Sequence, residues 1–130
     1  MCGIIGYIGA KKATPILING LLRLEYRGYD SAGISTVEQN GLSIMKDKGR
    51  VKNLYDLDGI NNLTGTIGIA HTRWATHGKP SKENSHPHLD NSNSFAVVHN
   101  CFICYCMILY FFLSGPLTPS SSSKRSSKVL

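Results

Sequence analysis

Met1-Cys2-Gly3-Ile4-Ile5-Gly6, residues 1–6, is the stretch on which the reading of this chain turns. A cysteine directly behind an initiator methionine becomes the amino terminus once that methionine is clipped, and its thiol then lies beside its own α-amino group. Such an amine ordinarily titrates near ~7.7–8.0, which suits a general base at neutral pH. One residue would thus carry a nucleophile and its base. Residues 3–8 (GIIGYI), short, apolar and punctuated by glycine, read as a buried strand holding Cys2 at its leading edge. A small buried thiol without chemistry is the other reading of a cysteine at this position. The rest of the chain decides between them.

Working outward, Thr14 and Pro15 read as the N-cap and first residue of a helix. Leu17, Ile18, Leu21 and Leu22 follow at helical spacing, and Gly28 stops it. Residues 32–37 read as a strand, and the Asn40-Gly41 pair favours a tight hairpin into residues 42–46. Residues 51–57 suit a short helix. A third apolar run, residues 66–70, ends in polar residues that begin at His71, as in a strand delivering functional groups to a loop. The cargo of that loop is HTRWATHG, residues 71–78.

At 130 residues, with 42% hydrophobic and 17% charged content, the chain suits one globular domain or a fragment of a larger one. Its net charge of +6 divides evenly, because residues 1–100 carry +3 and Lys124, Arg125 and Lys128 carry the remainder. No cluster of Lys and Arg interleaved with aromatics precedes that tail, which excludes nucleic acid as a partner of the folded part. Four cysteines (Cys2, Cys101, Cys104 and Cys106) with no secretory signal at the start indicate a reducing, cytoplasmic setting rather than a disulfide framework.

Two arrays invite a metal reading. His86 and His88 with Asp90 have no further ligand at recognised zinc spacing, and Pro87 makes that stretch a structural turn. Cys101, Cys104 and Cys106 stand inside an apolar run without a second cysteine pair. No metal and no cofactor is assigned.

MCGIIGYIG at the start, LRLEYRGYDSAGI at 22–34, GIAHTRWATHGKPS at 68–81, NSHPH at 84–88 and VVHN at 97–100 together carry a family likeness. In this order and spacing they resemble the amino-terminal class II glutamine amidotransferase domain of the glutamine:fructose-6-phosphate amidotransferases (glucosamine-6-phosphate synthases). The opening motif is shared with other class II amidotransferases; EYRGYDSAG and HTRWATHG favour the hexosamine branch. The resemblance implies an α+β fold, the αββα four-layer sandwich of the N-terminal-nucleophile (Ntn) hydrolases, of which this chain supplies about half.

It also implies the chemistry. Cys2 would attack the side-chain amide of L-glutamine, forming a γ-glutamyl thioester and releasing ammonia for glucosamine 6-phosphate synthesis. Arg73 would pair with the glutamine α-carboxylate, a task for a planar guanidinium that donates two parallel hydrogen bonds. Thr76 and His77 would line the glutamine pocket, and Trp74 would shield it or pack in the core. Arg27, Gly28, Asp30 and the neighbouring Ser31 would shape the site, although a helix stop followed by a turn accounts for this stretch as well. Asn100 would supply the side chain of the oxyanion hole. The backbone N–H of Cys101 would replace that of the family's glycine.

The likeness ends at Asn100, so the domain is expected to span residues 2–100. Residues 101–113 (CFICYCMILYFFL) are apolar and too few to span a bilayer, which takes about 20 residues. Residues 114–130 form a Ser/Pro-rich basic tail expected to be disordered. The sequence therefore also supports a second class of function: a catalytically inactive truncated fragment, or a misassembled gene product, acting at most as an interaction module. The strand edges left open would invite association with a second copy. In the family, fructose 6-phosphate binds isomerase domains beyond this one, and nothing in residues 101–130 resembles them.

Overall fold

The structure is a computed structural model that describes residues 1–76 and 78–100, together with the backbone of residues 107–111. Its first layer is helix α1 (Ala13–Leu24), and its second is a four-stranded antiparallel sheet of β1 (Gly3–Ile8), β2 (Ser31–Glu38), β3 (Gly41–Lys48) and β4 (Ile67–Arg73) in the order β1-β4-β2-β3. The third layer is a sheet of β5 (His88–Leu89), β6 (Ala96–Asn100) and β7 (Met107–Phe111). These are three of the four layers that the resemblance implies.

Alternation along the strands separates two cores. Ala32, Ile34 and Ala70 turn toward α1 and meet Leu17, Ile18 and Leu21, with Val51, Leu54, Ile60 and Leu63 closing the cluster from the connection after β3. Leu17 and Leu21 are fully buried, so cutting either to Ala would cost about 2–5 kcal/mol. On the opposite face Ile69, with Ile4 and Leu42 beside it, packs against Ala96, Val98 and Leu89 of the second sheet. Side chains of the first sheet that share the parity of Ile4 and Ile69 therefore face the space between the sheets.

Several local expectations need correction. The helix begins at Ala13 behind Lys12, so Thr14 is not the N-cap; its buried hydroxyl donates to the Leu63 carbonyl at 3.4 Å. The Ala13 amide is met instead by the Gly65 carbonyl at 2.8 Å. A partner brought in by the fold has taken the place of the local cap. The short helix expected over 51–57 is present as a 3-10 helix, Val51–Asp56. The hairpin turns on Gln39 and Asn40, leaving Gly41 as the first residue of β3, with a φ of 121° that glycine adopts without strain.

The largest correction concerns β4. The polar residues His71, Thr72 and Arg73 belong to the strand itself, because its pairing with β2 continues to Ser31↔Arg73 and its pairing with β1 to Gly3↔Thr72. Within the apolar run of residues 101–113, the backbone of Met107–Phe111 pairs antiparallel with β6 from Asn100↔Met107 to Ala96↔Phe111. The expected disordered tail, and the cysteine array at 101–106, lie outside the described residues. Among the described residues, no helix is long and apolar enough to cross a membrane.

Candidate functional site

The leading edge of β1 fixes Cys2. The Gly3 amide donates to the Thr72 hydroxyl at 3.2 Å, and the pairing of Gly3 with Thr72, carried one residue further, sets Cys2 beside Arg73. Both share the parity of Ile4 and Ile69, so both belong to the face between the sheets. Cys2 is a free thiol, partly exposed. Ser31, opposite Arg73 on β2, extends the row; its fully buried hydroxyl has no hydrogen-bond partner among the described residues.

The loop after β4 is held by Asp30. The Asp30 amide donates to the Arg73 carbonyl at 3.1 Å, and Asp30 Oδ2 accepts from the Ala75 amide at 2.7 Å. Gly49 N–H binds the Asp30 carbonyl at 2.7 Å, which ties in the end of the β2–β3 hairpin. Gly28 lies against the same turn, with backbone atoms where a larger residue would need its Cβ. Arg73 Nη2 reaches across the loop to the Gly78 carbonyl at 3.4 Å. Asp30 and Gly28 therefore set the exit of the chain from β4, immediately after the arginine.

Trp74 is 41% exposed and meets Tyr29 edge-on at 5.4 Å, with Arg50 5.7 Å over the other aromatic ring. It is a surface aromatic beside Arg73 and not a core residue. Thr76 is exposed in the same loop. Arg27 turns toward its neighbour, its Nε donating to the Tyr26 hydroxyl at 3.1 Å. Asn100 ends β6 and is exposed. His77 and Cys101 lie outside the described residues.

Sequence reasoning missed a histidine cluster that joins β4 of the first sheet to β5 and β6 of the second. His86 lies with its ring centroid 4.5 Å from His71, 4.4 Å from His88 and 4.5 Å from His99. Burial, followed by the neighbouring imidazoles, pushes His86 down to about 2, against a weaker upward pull from a hydrogen bond to the Val97 backbone. Burial takes His71 down to about 4, although its contact with the His99 carbonyl works the other way. Burial and Lys46 lower His88. The Lys46 ammonium binds the Ser85 and Pro87 carbonyls at 2.8 and 3.0 Å, fixing the loop that carries His86. The available signal was four histidines on elements that the fold stacks, but their pairing depends on contacts far apart in sequence. Among the described residues, no group of three or more His, Cys, Asp or Glu side chains is arranged to hold a metal ion.

No family model matches the chain. Among curated proteins it is 58% identical over 104 residues to the glutamine–fructose-6-phosphate aminotransferase [isomerizing] of Gloeobacter violaceus, a match covering 79% of this chain and 17% of that protein. The enzyme of the same name from Caldanaerobacter subterraneus is 61% identical over 103 residues, with the same coverage. The chain thus spans about one-sixth of the length of the curated relatives it matches. Among solved structures, the glutamine phosphoribosylpyrophosphate amidotransferase of B. subtilis superposes with a TM-score of 0.64 at 27% identity, covering 77% of this chain and 22% of that one. Fold and sequence together define a glutamine amidotransferase fold of the N-terminal-nucleophile class. Within that class its sequence is similar to a stretch of the glutamine–fructose-6-phosphate aminotransferases.

Proposed function

We propose that this chain carries the nucleophile-bearing part of a glutamine-hydrolysing site whose ammonia serves glucosamine 6-phosphate synthesis. The observation that carries the reading is the pairing of Gly3 with Thr72, whose next residues outward along the chain are Cys2 and Arg73. In this reading Met1 is removed and the α-amino group of Cys2 takes the thiol proton. The sulfur bonds to the side-chain amide carbon of glutamine, and the carbon–nitrogen bond breaks as the amine returns its proton to the departing ammonia. Water then cleaves the thioester to glutamate and restores the thiol.

Arg73 pairs with the α-carboxylate, a bidentate role that a guanidinium fills. Trp74, Thr76 and His77 line the substrate side, while Arg27, Gly28 and Asp30 shape the loop. Asn100, with the backbone N–H of Cys101, stabilises the oxyanion. Fructose 6-phosphate would be bound by other domains, as the short share of the relatives' length covered here suggests. The reading also places the protein in the cytoplasm and assigns residues 2–100 to the glutaminase domain.

The test is alkylation of Cys2 by a chloromethyl ketone analogue of glutamine, together with ammonia release from glutamine. The expected result is saturable labelling that free glutamine competes away and that Cys2→Ala abolishes. Equal labelling of the protein and of Cys2→Ala would remove the reading.

A further inference from the structure

We infer that His71 is a positioning residue that ties the strand carrying Arg73 to the strand carrying Asn100, and so sets the separation between substrate clamp and oxyanion donor. The inference rests on the function proposed above.

His71 sits on β4, two residues before Arg73 and therefore on the same face. Its ring is 1% exposed, and Nε2 lies 3.1 Å from the carbonyl oxygen of His99, the residue before Asn100 on β6. A carbonyl only accepts, so this bond requires the proton on Nε2 and leaves Nδ1 as the unprotonated nitrogen. His71 Nδ1 is buried and has no hydrogen-bond partner among the described residues, which agrees with a neutral ring of that tautomer. The burial that holds His71 neutral near physiological pH keeps the tautomer in place.

The second tie between these strands is apolar, Ile69 against Ala96 and Val98. Such packing resists separation but is tolerant of sliding, because it is not directional. A hydrogen bond fixes the sliding coordinate. The His86 ring stands beside that bond, its centroid 4.5 Å from those of His71 and His99. Arg73 and Asn100 are each one or two residues beyond this tie on their own strands, so loss of the tie lets one strand slide on the other and changes the spacing between them, leaving each strand intact.

The experiment uses the full chain and two variants. His71→Phe keeps a flat ring and removes the donor; His71→Gln restores an amide donor near the position of Nε2. Saturable labelling with the chloromethyl ketone analogue separates the half-saturating concentration, set by the carboxylate clamp, from the maximal rate, which needs the ketone oxygen in the oxyanion site. For His71→Phe the maximal rate should fall about tenfold with the half-saturating concentration within about twofold, and His71→Gln should recover most of the rate. Equal rates in all three proteins, or equal losses in rate and half-saturation for both variants, would overturn the role. Nitrogen NMR of the unsubstituted protein supplies an independent readout: His71 should show a protonated Nε2 coupled to the His99 carbonyl. The opposite tautomer would refute the tie even if labelling fails for reasons that defeat the glutaminase reading itself.

Discussion

Gly28 and Arg73 lie so close that a Cβ on the glycine would stand 2.6 Å from the arginine carbonyl carbon and 2.9 Å from its oxygen. Backbone cannot yield as a flexible side chain would, and Gly28 itself is in ordinary extended conformation, so the demand is for space alone. Gly28→Ala should destabilise the protein by about 2 kcal/mol. It should also loosen the chain where it leaves β4. The check is a urea midpoint together with the labelling rate of Cys2, both of which should fall.

Arg73→Lys keeps the charge and discards the two-pronged donor. Competition by glutamine for the labelling of Cys2 should weaken about tenfold, with stability changed little. Loss of protection at unchanged folding is the expected pattern in a titration with glutamine.

Glu38 is expected to show its worth in stability only. Its carboxylate accepts from the Thr36 hydroxyl at 2.7 Å, the Thr64 amide and hydroxyl at 3.1 and 2.8 Å, and the Gly65 amide at 3.0 Å. Burial raises the carboxyl, but these four donors outweigh it and hold Glu38 below the ordinary value. Glu38→Gln turns a donor toward donors and should cost about 1–2 kcal/mol. The difference from the unsubstituted protein, measured by denaturant at pH 7, should shrink as the pH falls through the lowered carboxyl range, where the native carboxylate is itself protonated.

Acid should unfold the protein through its histidines before its carboxylates. His71 and His86 have folded values near 4 and 2, below the ordinary 6.5, so the unfolded chain takes up protons that the folded one refuses. Their contribution is intact above about 6.5 and is lost as pH falls toward the folded values. For each group the slope is on the order of 1 kcal/mol per pH unit in that window. His86→Phe should flatten stability against pH between 6 and 4.

The sequence carried the class of the fold through motif and periodicity, and it singled out residues 71–76 as one stretch. Two things it could not carry. The helix cap at Ala13 comes from Gly65, fifty-two residues on, and no local pattern announces a carbonyl supplied from that distance. The polarity of His71, Thr72 and Arg73 reads locally as the end of a strand, whereas β1 and β2 continue to pair with them and hold Arg73 on paired backbone. The histidine cluster was hidden for the same reason: His71, His86 and His99 meet only after two sheets have stacked.

The strand behind Cys2 borders the first sheet and pairs within it with β4, whose Thr72 is 69 positions away from Gly3. During synthesis β1 is therefore made well before the strand it pairs with. The β2–β3 hairpin can close as soon as its eighteen residues are free, but β1 has no strand to join until β4 has left the ribosome. The strand that leads from Cys2 is thus set in place only by a long-range closure, made after the local hairpin.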